Sequence, residues 1–401
     1  MIDFPYLAEL VQQTDSKIVM LVADGLGGSP DSVRRRTELQ GARVPHLDRL
    51  AQNSAVGLTI PVAHGITPGS GPGHLALFGY DPLKYVVGRG VIEAMGIEME
   101  LKPGDVAARG NFATVDMDGL LVDRRAGRIE SESAVLLVEK LNEISVDSVE
   151  TLVAHVTEHR FVLRFRSEGL SDALTETDPQ RTGVPPLAVK ARVKAAQHMA
   201  KLANAFVEQA AHALESGTPA NAVLLRGWSS SPAIPSMAEA YCLKPAAIAA
   251  YPMYRGLARL TGMQVLSTGA TFADEIETLR RHYDEHDFFY IHYKPTDTAG
   301  EDGDFDAKKR ALEVLDEHIP ALLDLKPDVF IVAGDHATPS AMGTHSWHPV
   351  PFLLNSKHTE GDGVDRFAER DLRCGSLGIF EAKNVMTLAL AHAGKLLKFG
   401  A

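Results

Sequence analysis

Lys17-Ile-Val-Met-Leu-Val-Ala23 runs unbroken and apolar into Asp24 and the turn Gly25-Leu-Gly-Gly28. A buried parallel strand reads as a continuous run of this kind, because both of its faces are covered. The pattern recurs. Phe288-Phe-Tyr-Ile-His-Tyr293 is followed by Asp297 and Glu301, and Val329-Phe-Ile-Val-Ala-Gly334 by Asp335 and His336. A fourth pair, His345 and His348, stands just before Pro349-Val-Pro-Phe-Leu-Leu354. Open α/β sheets bind ligands beyond the carboxyl ends of their strands. Three carboxylate and imidazole clusters past such runs, with a fourth leading into one, predict an α/β fold with a mostly parallel sheet and one shared site.

Working outward, Pro45 suits a first helical position, and Leu47, Leu50 and Ala51 give the helix an apolar face. In Thr67-Pro-Gly-Ser-Gly-Pro-Gly-His-Leu75, the glycines at 69, 71 and 73 allow a sharp turn, and a helix is expected to start at Ser70. From about 105 the texture changes. Asn111–Asp116, the turn Met117-Asp118-Gly119 and Leu120–Asp123 read as a β-hairpin, and a second strand pair follows near 150–156 and 160–166. A long Ala-rich helix is expected over about 189–215, closed by Gly217-Thr-Pro-Ala-Asn221. The acidic clusters resume after about 240. The simplest organisation is one α/β domain built from 1–104 and 236–401, with a smaller α+β domain, 105–235, inserted. A cleft between the two is a common place for a ligand.

The 401 residues favour two or three domains at the usual ~100–200 residues each. Cys242 and Cys374 are the only cysteines, so no disulfide framework is implied and a cytoplasmic location is expected. No run approaches the ~20 apolar residues of a membrane span, and Met1-Ile-Asp-Phe-Pro-Tyr lacks the pattern of a signal peptide. A formal charge of −12 argues against a nucleic-acid partner.

Two divalent ions need roughly seven or eight oxygen and imidazole donors. Asp24, Asp297, Glu301, Asp335, His336 and His345 supply most of such a set, and the Ser70 hydroxyl could complete it. A helix N-terminus at Ser70 would favour both an alkoxide and a bound phosphate. Each residue alone has an ordinary reading. Asp24 or the Asp335-His336 pair could cap a helix, Ser70 could be a loop serine, and His64, His74 and His348 fit structural roles better than ligand roles. Their conjunction makes two-metal phosphoryl transfer the stronger reading. Gly25-Leu-Gly-Gly28 superficially resembles a dinucleotide fingerprint, but Pro30 stands where a third glycine is needed and Asp24 would repel a pyrophosphate.

A longer series of motifs runs collinearly through nearly the whole chain. It comprises Val22-Ala-Asp-Gly-Leu-Gly27, Pro45-His-Leu-Asp-Arg-Leu-Ala51, Gly65-Ile-Thr-Pro-Gly-Ser70, Phe78-Gly-Tyr-Asp-Pro82 and Gly88-Arg-Gly90. Arg109-Gly-Asn-Phe-Ala-Thr-Val115, Asp123-Arg-Arg-Ala-Gly-Arg-Ile129, Asn221-Ala-Val-Leu-Leu-Arg-Gly227, Gly334-Asp-His336 and Pro349-Val-Pro351 continue it. The series resembles the cofactor-independent phosphoglycerate mutases of archaeal type, within the alkaline phosphatase superfamily. That resemblance implies an alkaline-phosphatase-like sheet flanked by helices. The implied activity is interconversion of 3-phosphoglycerate and 2-phosphoglycerate, a step of glycolysis and gluconeogenesis, through a phosphoserine at Ser70. Asp24, Ser70, Asp335 and His336 would hold one ion and Asp297, Glu301 and His345 the other, with Mn²⁺ or Mg²⁺ favoured and Co²⁺ or Zn²⁺ as alternatives. Arg109, Arg124, Arg125, Arg128 and Arg226, with Arg255, would bind the small phosphorylated three-carbon acid. Two positions depart from the family pattern: Glu301 stands where a histidine is expected and Arg255 where a lysine is expected. The first leaves room for another metal-dependent phosphomutase or phosphatase acting on a different ester. A non-catalytic relative that senses metabolites or metal is the remaining alternative.

Overall fold

The computed structural model describes residues 1–102, 104–147, 149–215, 218–230, 232 and 234–400. The chain divides into two compact units, residues 1–86 with 234–401, and residues 87–233. In chain order the strands begin β1 (Ile18–Ala23), β2 (Ala55–Ile60), β3 (Val106–Val115), β4 (Leu121–Asp123), β5 (Glu150–Thr157), β6 (Arg160–Arg166) and β7 (Ala222–Ser230). They continue β8 (Pro245–Ile248), β9 (Gln264–Val265), β10 (Phe288–Tyr293), β11 (Val329–Ala333), β12 (Val350–Ser356) and β13 (Gly378–Glu381).

Among the described residues, the first unit carries an eight-stranded sheet of order β13-β2-β12-β11-β1-β10-β8-β9. The apolar runs at 17–23, 288–293 and 329–334 are its centre. β1 pairs in parallel with both β10 and β11, and all three strands are buried at every position. Val19, Leu21, Phe289, Ile291, Phe330 and Val332 meet Leu47 and Leu50 of the helix Pro45–Ala51, and Leu312, Leu315 and Ile319 of the helix Phe305–Leu323. Burial of this kind contributes about 1.5–3 kcal/mol per large side chain. β12 is antiparallel to both β11 and β2. That direction brings the site together. Ala333 at the end of β11 pairs with Phe352 near the start of β12, so residues leading into β12 lie level with those leaving β1, β10 and β11.

The second unit is built on β3, β4, β5, β6 and β7, in order β4-β3-β6-β5 with β7 paired to the other side of β3. Every pairing in it is antiparallel. One face is apolar: Ala108, Phe112, Phe161, Leu163 and Phe165 pack on the helices Ser131–Asn142 and Gln197–Leu214. Period-two alternation then sends Arg109 and Asn111 to the opposite face. The register sets Arg109 beside Arg226 on β7 and Asn111 beside Arg160 on β6.

Two local expectations shift. The second unit begins at 87 rather than 105, because the helix Arg89–Gly96 packs on its sheet so closely that a Cβ at Gly90 would stand 2.3 Å from the Ala107 carbonyl oxygen. The Ala-rich helix starts at Gln197, not near 189. A 3-10 turn, Lys194–Ala196, leads into it, and residues further back are held outside the helix, with Val189 N–H donating to Asn204 Oδ1 at 2.9 Å and Ala191 bridged to Leu174. Gly217, expected to close that helix, lies outside the described residues. No helix among the described residues is long and apolar enough to cross a membrane.

Candidate metal centre

Ser70 opens the helix Ser70–Leu77, as its sequence suggested. The glycines around it act differently from the expected sharp turn. Gly69 has an ordinary extended backbone (φ −86°), while a Cβ at Gly73 would stand 2.2 Å from the Asp335 carbonyl oxygen. Gly73 therefore permits the helix to lie against the chain leaving β11. Gly25 serves the same cradle from the other side. Its φ of +64° favours glycine, and a Cβ there would sit 2.6 Å from Thr338 Oγ1 and 2.9 Å from Asp297 Oδ1.

Asp24, Asp335 and His336 converge, and so do Asp297, His336 and His345, with ligand atoms in each group within 4.8 Å of one another. Ser70 Oγ lies 3.2 Å from His336 Nε2. That nitrogen is also 3.3 Å from Asp24 Oδ1 and 3.2 Å from Asp335 Oδ2. The tautomer follows from the network. Thr338 Oγ1 donates its one proton to Asp297 Oδ1 at 2.6 Å, so His336 Nδ1 must donate to Thr338 Oγ1 at 3.0 Å. His336 Nε2 is then a lone pair, and burial lowers the His336 pKa, which keeps the ring neutral. A lone pair thus faces two carboxylate oxygens. Asp24 Oδ1 and Asp335 Oδ2 are both buried without a hydrogen-bond partner. Such a set is costly unless a cation sits among it, so these residues fit a divalent ion.

The second group repeats the logic. His345 Nδ1 donates to the Pro68 carbonyl at 3.0 Å, which turns Nε2 toward Asp297 Oδ1 at 3.7 Å and Glu301 Oε1 at 3.6 Å. The His336 and His345 rings stack at 3.6 Å between centroids. Burial alone would lower the His345 pKa, but Glu301, Asp297 and Asp335 raise it to about 9. The position calls for positive charge, from a proton or from a metal ion. Glu301 stands at the margin, its side chain 55% exposed.

Other side chains in this centre escaped the sequence reading. Tyr254 Oη, His292 Nε2 (3.0 Å) and Lys294 Nζ (3.1 Å) all donate to Asp24 Oδ2. Burial opposes ionisation of Asp24, and His292 and Lys294 overcome it, holding the carboxyl well below its usual range. Lys294 also donates to Asp297 Oδ2 at 2.6 Å and to Tyr254 Oη at 3.0 Å. A polar His292 inside an apolar run and a lysine directly after it were the available signals. His74 supports the cluster from behind, with Nδ1 2.9 Å from the Ser70 carbonyl and 3.1 Å from Asp335 Oδ2. His348 turns away to Ser346 Oγ at 2.9 Å, and His64 is exposed.

The arginines divide. Arg109 is 11% exposed, 3.4 Å from Glu93, and its Nε has no hydrogen-bond partner. Burial, more than its neighbours Arg89, Arg160 and Arg226, lowers its guanidinium pKa to about 10 against the pull of Glu93. Arg124 is tied to the buried Asp178 by two hydrogen bonds of 2.8 and 2.7 Å. Arg226 pairs with Glu176 at 3.3 Å and Asp178 at 3.4 Å. Arg125 and Arg128 are exposed beyond β4. Arg255, in the first unit, lines a cavity of about 370 Å³ with Ala249, Leu266 and Thr268.

Comparison with known proteins bears on this geometry. A model of the family described as 2,3-bisphosphoglycerate-independent phosphoglycerate mutase matches residues 51–221. A Thermus thermophilus protein named a probable 2,3-bisphosphoglycerate-independent phosphoglycerate mutase is 49% identical over 403 residues, covering 99% of each chain. The chain belongs to that family. Among solved structures, a cofactor-independent phosphoglycerate mutase from Thermoplasma acidophilum is 32% identical, with a TM-score of 0.70, covering 94% of this chain and all of its own. A Pyrococcus horikoshii protein is similar over 97% of this chain and all of its own, with 26% identity and a TM-score of 0.84.

Proposed function

We propose that this member of the family interconverts 3-phosphoglycerate and 2-phosphoglycerate through a phosphoserine at Ser70, in a site that holds two divalent ions. The observation that carries the reading is Ser70 Oγ at a helix N-terminus, 3.2 Å from His336 Nε2, which itself faces the unpartnered oxygens of Asp24 and Asp335. Asp24, Ser70, Asp335 and His336 would hold one ion, and Asp297, Glu301 and His345 the other. Bound there, Mn²⁺ or Mg²⁺ (Co²⁺ or Zn²⁺ as alternatives) would supply the Lewis acidity that makes a serine hydroxyl nucleophilic and neutralises phosphate charge.

Ser70 Oγ attacks phosphorus, the bond to the glycerate oxygen breaks, and the serine proton is balanced by the proton gained by the freed hydroxyl. The other glycerate hydroxyl then attacks the phosphoserine and restores Ser70. The amide N–H groups at the start of the helix Ser70–Leu77 favour the anion at that point. Lys294 keeps a fixed positive charge beside Asp24 and Asp297, which lowers the repulsion between those carboxylates and an incoming phosphate. Arg109 and Arg226 are assigned to the anionic substrate, because planar guanidinium forks suit carboxylate and phosphate alike. Arg124 is assigned to holding Asp178.

The test is turnover of 3-phosphoglycerate by metal-loaded protein without added 2,3-bisphosphoglycerate. Product formation in Mn²⁺ or Mg²⁺ that stops on chelation is expected. Inorganic phosphate release from an unrelated ester, with no shift of phosphate on glycerate, would replace this reading with a phosphatase.

A further inference from the structure

Lys308, on the helix Phe305–Leu323, is completely buried. Its ammonium donates to three carbonyl oxygens: Gly25 at 2.8 Å, Gly27 at 2.9 Å and Thr338 at 2.7 Å. An ammonium has three N–H donors and no acceptor, so this geometry uses all of it. The carbonyls come from two loops. Gly25 and Gly27 follow Asp24 at the end of β1, and Thr338 follows Asp335 and His336 at the end of β11. Thr338 N–H also donates directly to the Gly27 carbonyl at 3.0 Å.

Two buried carboxylates hold the same loops from behind. Glu38 accepts from Ser340 N–H at 2.8 Å, while Glu369 accepts from Gly28 N–H at 3.1 Å and from the Thr37 hydroxyl at 2.8 Å. Burial works against the charged form of Lys308, and Glu38 and Glu369 work for it. A side chain needed only to fill space here would be apolar and free of that desolvation cost. What the charge accomplishes is to fix one loop against the other, as a small structural cation would.

We propose that Lys308 is the positioning residue of the metal centre, setting the separation of Asp24 from Asp335 and His336 and hence the affinity for divalent ions. The proposal rests on the two-ion reading above. It is tested with Lys308→Met and Lys308→Arg, measuring Mn²⁺ affinity of metal-stripped protein by calorimetry, the Tm without metal, and kcat and KM in saturating Mn²⁺. Both variants are expected to bind Mn²⁺ about 10–100-fold more weakly, as when other groups that orient metal ligands are removed. kcat should fall by a comparable factor while KM stays within about threefold. Arginine should not rescue, because a planar fork does not match three oxygens converging on one point. Parental Mn²⁺ affinity in either variant overturns the proposal. Should both variants fail to fold, Glu38→Gln removes one supporting charge at constant volume, and unchanged Mn²⁺ affinity there overturns it equally. A parent protein that binds Mn²⁺ without mutase turnover would remove the functional reading alone, since the affinity comparison still decides the role of Lys308. A parent that binds no divalent ion removes both.

Discussion

The end of the first sheet gathers Asp24, Asp297 and Asp335 with His336 and His345, whereas the second sheet sets Arg109 beside Arg226 and Asn111 beside Arg160. In the proposed function the two clusters would meet an anionic substrate in opposite ways. Carboxylates and imidazoles attract a phosphate only through cations that can be exchanged, which makes that cluster switchable and suited to chemistry. Guanidiniums are permanently charged and bind an anion directly, which suits holding rather than reacting. The contrast extends to what each cluster lacks. Buried atoms without a hydrogen-bond partner include the acceptors Asp24 Oδ1 and Asp335 Oδ2 in the first and the donor Arg109 Nε in the second.

The contrast breaks most visibly at Ser70. Ser70→Ala should lower kcat by at least about 10⁴-fold, as expected when a nucleophile is removed, with Tm nearly unchanged because no core volume is lost. Activity near the parent's, measured at saturating Mn²⁺, would show that the nucleophile lies elsewhere. In the second unit the comparison is between two arginines. Arg109→Ala should raise KM by about 10–100-fold, the cost of one or two charge-assisted hydrogen bonds. Arg124→Ala should do the reverse, lowering stability by about 2–3 kcal/mol by stripping the buried Asp178 of its main partner, with KM nearly constant. If both variants change KM equally, the division drawn between them fails.

Acid and base should affect the two units with opposite sign. Burial raises the Glu275 carboxyl to about 8, so the folded state holds a proton there that the unfolded chain releases above its ordinary value near 4.5. Its stabilisation is complete below that ordinary value and is lost as pH rises toward 8. In the second unit burial, with Arg160 and Arg109, lowers His159 to about 4, so its contribution is complete above pH 6.5 and is lost as pH falls toward 4. Melting curves between pH 5 and 8 check both. Glu275→Gln should flatten the alkaline loss and His159→Gln the acid loss. The smallest effect is expected at Glu301. Glu301→His exchanges a hard oxygen for imidazole beside His345, and should shift preference from Mg²⁺ toward Zn²⁺ by about tenfold or less. Competition measured by calorimetry would sharpen the metal assignment, and an unchanged preference would place Glu301 outside the coordination set.

Much of the first unit was legible because burial on both faces writes itself into a strand as an unbroken apolar run. β1, β10 and β11 were found that way, and the charged residue closing each run followed. His345 was found beside β12, although the direction of that strand was not legible, since an apolar run carries no sign of parallel or antiparallel pairing. Lys294 and Tyr254 were missed because lysine and tyrosine next to a strand or helix usually face solvent. Only the pairing of β1 with β10, and the approach of the helix Pro252–Leu260, make them partners of Asp24. In the second unit the arginines were visible as residues but not as roles. Asp178, 54 positions from Arg124, decides that Arg124 is already paired.

By itself the sequence determined the α/β class, the strands of the central sheet, the helix at Ser70 and the residue types able to hold a cation, because periodicity and composition are local properties of the chain. Tertiary structure decided which lone pair faces which carboxylate, which arginine keeps an unpartnered nitrogen, and that Lys308 binds two loops. Those depend on distances between residues hundreds of positions apart, and such distances are fixed only when the strands pair and the core closes.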